Sequence, residues 1–284
     1  MKIDSHHHFW KYSVEEYGWI DDEMKAIRRD FLPEDLEKEI RGSGIDGLVS
    51  VQARQTIAET EWLLGFSENN DFIKGVVGWV PLLSTDVRKY LSTFSAFSKF
   101  KAARHVVQGE PDDDFILRKD FNEGIKALKE FGLAYDILIL EKHLLQTIKF
   151  VDMHPDQIFI LDHIAKPRIK ENILKPWRKN IMALAERQNV YCKISGMVTE
   201  ADYRTWTEEQ LHPYFDTVLD AFGAKRLMFG SDWPVCTVAC EYRRWAGIVQ
   251  ELISKLSASE QEAIFGGNAV KAYNLNIQRQ MGKC

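Results

Sequence analysis

Residues 1–10 read Met1-Lys2-Ile3-Asp4-Ser5-His6-His7-His8-Phe9-Trp10. An apolar start running into two histidines at i and i+2 predicts a short strand, and in a strand that spacing turns both imidazoles to one face. There they can jointly hold a metal ion or polarise a substrate oxygen. No G-x-G-x-x-G follows in the first strand-to-helix turn. The phosphate-cradling signature of an open dinucleotide-binding sheet is therefore missing.

The same strand-then-helix rhythm continues to the end of the chain. Apolar, β-branched runs recur at Lys2 to His6, Gly47 to Gln52, Gly75 to Leu82, Ala102 to Gln108, Ala134 to Leu140, Ile158 to His163, Val190 to Ser195 and Arg226 to Ser231. Their near-continuous hydrophobicity predicts parallel strands covered on both faces. Amphipathic segments lie between them: Glu34 to Arg41 after Pro33, Ile57 to Asn70, Thr85 to Lys99, Ile116 to Phe131, Lys142 to Met153, Ile173 to Gln188 and Glu208 to Phe222, with two more after the last strand. Eight such units predict a closed α/β (β/α)8 TIM barrel, a fold of typically ~250 residues. An open doubly wound sheet is the runner-up. With no linkers or repeats, residues 1–284 read as one domain. The aromatic and acidic stretch Phe9 to Asp30 is long for a strand–helix loop and predicts a lid or decoration over the barrel mouth.

Composition narrows the partners. A 284-residue chain with 45% hydrophobic residues can bury a full core, and its net charge of −5 is spread along the chain. That pattern gives no electrostatic footprint for nucleic acid or an anionic membrane. No apolar run approaches the ~18 residues of a membrane-spanning helix, and no secretory signal opens the chain, so the cytoplasm is the expected location. Cys192, Cys236, Cys240 and Cys284 form neither a disulfide framework nor a C-x-x-C pair, which predicts reduced thiols. A small molecule is the expected partner, bound by a monomer or a homodimer.

In a barrel of this kind the site lies at the carboxyl ends of the strands. His6 and His8 end the first strand, His163 the sixth, and Asp232 follows the eighth. Singly, each is more often a hydrogen-bonded structural residue; four on matching strand ends point to catalysis. His7 faces the opposite way and reads as packing. Asp4 either orients a histidine or ties down the strand. Arg104 and His105 are neighbours, so only one looks inward; Arg104 shares its parity with Gln108 and reads as a substrate-binding cation or as an ion-pair partner of Asp136. Lys193 reads as an ion-pair residue. Gln52, Trp10 and Trp79 are candidate substrate contacts, with core packing the plainer alternative for the tryptophans.

Taken in order, I-D-S-H-H-H-F-W (3–10), A-R-H (103–105), L-D-H-I-A-K-P (161–167), C-K-I-S-G (192–196) and F-G-S-D-W-P (229–234) resemble the lactonase branch of the amidohydrolase superfamily along the whole chain. The resemblance implies hydrolysis of a sugar-acid lactone, as in fuconolactone and rhamnonolactone hydrolases, or of a pyrone dicarboxylate. It maps the strand-one pair onto His6 and His8, the strand-six histidine onto His163 and the strand-eight aspartate onto Asp232. The bridging strand-four residue and strand-five histidine of binuclear relatives are missing. The resemblance thus implies either one divalent ion on His6, His8 and Asp232, zinc first, or metal-independent hydrolysis.

Opening a lactone needs a deprotonated water, a polarised carbonyl and help for the departing alkoxide. Asp232 is the candidate base, and the imidazole cluster or its metal stabilises the oxyanion. Asp232 or His163 is the candidate donor to the leaving group. A metal-dependent decarboxylase, or another hydrolase of the superfamily, is the rival enzyme reading; a catalytically dead sugar-acid binder is the rival from outside catalysis.

Overall fold

The structure is a computed structural model that describes residues 1–276, so Cys284 lies outside the described residues. Eight parallel strands pair in chain order: β1 (Ile3–His7), β2 (Gly47–Val51), β3 (Ile73–Gly78), β4 (Phe100–Val106), β5 (Ala134–Leu138), β6 (Phe159–Leu161), β7 (Val190–Ile194) and β8 (Leu227–Phe229). Between them run α1 (Pro33–Ile40), α2 (Ile57–Asn69), α3 (Val87–Ser95), α4 (Lys119–Glu130), α5 (Leu144–Asp152), α6 (Trp177–Ala185) and α7 (Glu208–Phe222). After β8 come α8 (Tyr242–Leu252), α9 (Ala258–Glu262) and α10 (Asn268–Ala272). The expected (β/α)8 barrel forms, and the open sheet does not.

Local chemistry sets the helix starts. Pro33 opens α1, where a missing N–H costs nothing, and Glu34 and Asp35 sit at its positive end. Thr56 Oγ1 accepts from the Glu59 amide at the start of α2. The strands are buried on both faces because one packs under helices and the other fills the barrel. Their lower ends contribute Ile3, Val49, Val77, Ala102 and Ile160 to an apolar layer completed by Ala269, Ala272 and Tyr273 from the end of the chain. Their upper ends turn ionisable, and that change of composition locates the site. Among the described residues no helix is long and apolar enough to cross a membrane.

The barrel closes through the segment just beyond β8. Asp232 N donates to His6 O at 2.8 Å, and His8 N donates to Trp233 O at 2.7 Å. Gly230 allows this approach, since a Cβ there would stand 2.9 Å from His6 Cβ. The seam of the barrel therefore sets Asp232 beside the two histidines. Within β1 the register slips between Asp4 and His7. Asp4 accepts from the amides of His6 and Ser231 and from the Tyr242 hydroxyl, so it ties the strand down. It does not orient an imidazole.

Strand six ends earlier than its hydrophobicity suggests. The chain leaves extended geometry after Leu161, and His163, Ile164, Ala165 and Lys166 all take positive φ, 51°, 48°, 61° and 48°. Four consecutive non-glycine residues in this region store strain that surrounding packing must hold. The Phe9–Asp30 segment folds back as an arm: Trp10 and Phe31 exchange backbone hydrogen bonds of 3.0 and 2.9 Å. Cys192, Cys236 and Cys240 are buried free thiols, as expected.

Candidate active site

His6, His8, His163 and Asp232 converge at the carboxyl-terminal mouth of the barrel. Asp232 Oδ1 lies 3.7 Å from His6 Nε2, 3.5 Å from His8 Nε2 and 3.9 Å from His163 Nε2. The two Nε2 atoms of His6 and His8 are 3.1 Å apart. Around a tetrahedral ion with bonds of about 2.0–2.1 Å, neighbouring ligand atoms stand about 3.3–3.4 Å apart. The three edges of His6, His8 and Asp232 bracket that spacing, so this donor set fits one divalent cation.

The tautomer of His8 agrees with that fit. His8 Nδ1 lies 2.8 Å from the Val51 carbonyl, which accepts only a proton-bearing nitrogen, so the lone pair of a neutral His8 is on Nε2. His6 Nδ1 has two neighbours, Lys193 Nζ at 3.0 Å and Asp162 Oδ1 at 3.3 Å. With Lys193 as donor, His6 carries its proton on Nε2 and gives it to His8. With Asp162 as acceptor, Nε2 is bare and faces the cation site, the carboxylate–histidine support that metal ligands commonly have.

Beneath the imidazoles lies a buried ionic layer. Lys193 Nζ is 2.6 Å from Asp136 and 2.9 Å from Asp162, and all three are fully buried. Arg104 Nη1 reaches Asp162 at 2.8 Å, and its second nitrogen donates to the Gln52 carbonyl. Arg104 is thus the inward residue of its pair, and its ion-pair partner is Asp162, not Asp136. His105 faces outward, stacked on Phe115 and bonded to Glu110. His7 packs on Phe9 and meets Ser50.

Burial would raise Asp162, but Lys193, His6 and Arg104 outweigh it and hold the carboxyl well below its usual range. Burial likewise raises Asp232 and is outweighed by His163, His8 and Lys166, leaving it below the ordinary value. Burial, with Lys193 next, keeps His6 well below its usual value against the pull of Asp162. His163 falls to about 4, driven by burial against Asp232 and Asp162. Its Nδ1 pairs with Ser195 Oγ at 2.9 Å, and Gly196, at φ 67°, lets the ring pass where a Cβ would sit 2.7 Å away.

A group whose folded pKa is depressed below its unfolded value resists a proton that the unfolded chain accepts. Stability tied to a neutral His163 is therefore present above pH 6.5 and is lost as pH falls toward about 4, where the folded imidazole protonates. The shift corresponds to about 3 kcal/mol. Urea unfolding at pH 7 and pH 4 should show His163→Asn losing about 3 kcal/mol less over that interval than the wild type; equal losses would contradict a neutral buried His163.

Above the cluster is a cavity of about 290 Å³. Its polar side comprises His8, Arg104, Gln108, His163, Lys166 and Asp232, and its apolar side Trp19, Ala53, Val106, Leu138 and Val235. Three expected substrate contacts are placed elsewhere. Trp10 is wholly buried in an aromatic group with Tyr17 and Phe31, its indole N–H given to Arg29 O. Trp79 is outside the cavity wall, its backbone bonded to Thr60 on α2. Gln52 is fully buried and supports Arg104, its amide donating to the Arg104 carbonyl at 3.3 Å. The aromatic at the mouth is instead Trp19, 47% exposed and edge-on to Trp10. Sequence reading also passed over Lys166, although the quoted D-H-I-A-K-P stretch contains it.

Residues 3–275 match the family described as amidohydrolase. The chain is 36% identical to an L-fucono-1,5-lactonase of Burkholderia multivorans, over 97% of this chain and 96% of that protein. It is 34% identical to an L-fucono-1,5-lactonase of Burkholderia ambifaria, again over 97% and 96%. The crystal structure of an amidohydrolase from Burkholderia multivorans with bound zinc superposes with a TM-score of 0.94 at 36% identity, covering 97% of this chain and all of that one.

Proposed function

The chain belongs to the amidohydrolase family, and from that premise we propose that it hydrolyses the ring ester of a sugar-acid lactone, with L-fucono-1,5-lactone first among the candidates. The observation that carries this reading is the meeting of Asp232 Oδ1 with three imidazoles on the floor of a cavity about 290 Å³ in volume. That volume is at the small end for ligand sites and suits one sugar ring. The lactonase names of the full-length relatives supply the substrate class. The apolar wall of Trp19, Val106, Leu138 and Val235 suits the methyl group of a deoxy sugar, and Arg104 and Gln108 on the polar side suit its oxygens.

Asp232 receives the proton of the attacking water. Its carboxylate is held below the ordinary value, so it is ionised at neutral pH. A base this weak cannot deprotonate bulk water, whose pKa of ~15.7 lies about 12 units above even an ordinary aspartate, roughly 16 kcal/mol. His6, His8 and Asp232 would hold a divalent cation, which would supply the missing acidity by bringing the pKa of a bound water near ~7 and would polarise the lactone carbonyl. His163, neutral and paired with Ser195, closes the floor 3.9 Å from the Asp232 carboxylate. Arg104, held by Asp162 and the Gln52 carbonyl, presents fixed positive charge on the wall where the oxyanion develops.

An indicator assay of acid release over a panel of aldonolactones, with chelator and with zinc restored, tests the reading. The deoxy lactone should be fastest, its 6-hydroxy counterpart slower by up to ~100-fold, and chelation should suppress turnover until zinc returns. Acid release from no lactone sinks the proposal. Turnover indifferent to chelation removes the cation from it and leaves the residues.

A further inference from the structure

The hydrolysis of a lactone ends with a sugar alkoxide leaving carbon, and alkoxides leave poorly unless they are protonated as the bond breaks. The cavity holds few groups able to do this. Asp232 takes the proton of water on the floor and, once protonated, is the rival donor that the variants below separate from a group on the wall. His163 is neutral, and its Nδ1 is engaged with Ser195. Arg104 is bound to Asp162 and Gln52, and a guanidinium does not give up its proton. Gln108 offers only an amide. His8 gives its Nδ1 proton to the Val51 carbonyl and turns Nε2 to Asp232 on the floor. Among the described residues lining the cavity, the remaining ionisable side chain is Lys166.

Its placement is specific. Lys166 ends the run of four positive-φ residues that begins at His163, so the strained turn that brings His163 over the floor also delivers Lys166 to the wall. Its ammonium is 3.7 Å from Glu200, and both side chains are about three-quarters buried. Glu200 lines a neighbouring polar cleft of about 440 Å³, which gives the ammonium a carboxylate-lined route to water. Its charge also acts on both His163 and Asp232.

We propose that Lys166 is the general acid that protonates the departing ring oxygen; this rests on the lactonase reading above. Water oxygen bonds to the carbonyl carbon, and its proton goes to Asp232. The bond from that carbon to the ring oxygen then breaks while a proton passes from Lys166 Nζ to that oxygen, giving the free hydroxyl. Lys166 regains a proton from water, and Asp232 releases its own with the carboxylic acid, so lactone plus water becomes hydroxy-acid anion plus one proton.

The test pairs Lys166→Met and Lys166→Arg with two substrates, the aldonolactone and its ring-sulfur analogue. A thiol has a pKa near ~8.5, so the thiolate leaves without help. Lys166→Met should lower kcat on the oxygen lactone by about 100-fold or more, and on the thiolactone by less than about 5-fold. Lys166→Arg keeps the charge without the transferable proton and should stay as slow as Lys166→Met on the oxygen lactone. Equal loss on both substrates, no loss on either, or wild-type rates in Lys166→Arg would overturn the assignment. A wild-type enzyme that opens no aldonolactone would overturn the lactonase reading beneath it.

Discussion

Asp232→Asn should lower kcat on an aldonolactone by about 100- to 10,000-fold, the range for loss of a positioned acid–base group. The fold should survive, for reasons visible at the position. Asp232 sits at φ 58°, a conformation that asparagine tolerates better than almost any other side chain. The contact it makes across the barrel seam comes from its backbone amide, which donates to His6 O at 2.8 Å and is unchanged by the substitution. What disappears is the anionic oxygen facing His6, His8 and His163. Steady-state kinetics beside a thermal melt checks both halves: a folded variant within about 5-fold of wild-type kcat would remove Asp232 from its assigned role.

Lys193→Met should be the most destabilising single change in the ionic layer, by about 3–5 kcal/mol at pH 8. With Lys193 and Arg104 in place, two cations balance Asp136 and Asp162 in a region closed to water. Methionine fills much of the lysine's volume but leaves one carboxylate unpaired. Asp136 already stands at about 6, raised by burial against Lys193, its nearest cation. Without that cation it rises further and takes a proton at mildly acid pH. A group with a raised folded pKa contributes stability that is full at low pH and is lost as pH rises through that pKa. The penalty in Lys193→Met should therefore shrink as pH falls from 8 to 5. Urea unfolding at several pH values measures it, and a penalty under about 1 kcal/mol at pH 8, or one that grows on acidification, would contradict the pairing.

Much of the fold was legible because parallel strands covered on both faces leave a strong mark. Gly47 to Gln52, Ala134 to Leu140 and Val190 to Ser195 were each expected within two residues of the strand that forms. The failures have local causes. The apolar run Ile158 to Leu161 resumes at Ile164-Ala165 after Asp162-His163, so the sequence pattern extends β6 into a left-handed turn that no residue type announces. In β1 the register slip undoes simple parity between Asp4 and His6. Around the site, convergence of His6, His8 and His163 on Asp232 follows from strand order alone. Tryptophan roles do not: Trp10 and Trp19 differ by how the Phe9–Asp30 arm folds back, a tertiary fact that decides which indole is buried and which reaches the cavity. Lys166 was hidden for the same reason, since its direction depends on four successive backbone angles.

The crystal structure of Asp232→Asn soaked with L-fucono-1,5-lactone tests the central claim most directly, because the slowed variant should retain its substrate. The lactone carbonyl should lie over residue 232 and the imidazoles of His6, His8 and His163, with the ring against Trp19. A lactone bound with its carbonyl turned away from that cluster, or seated anywhere else on the barrel, would contradict the account.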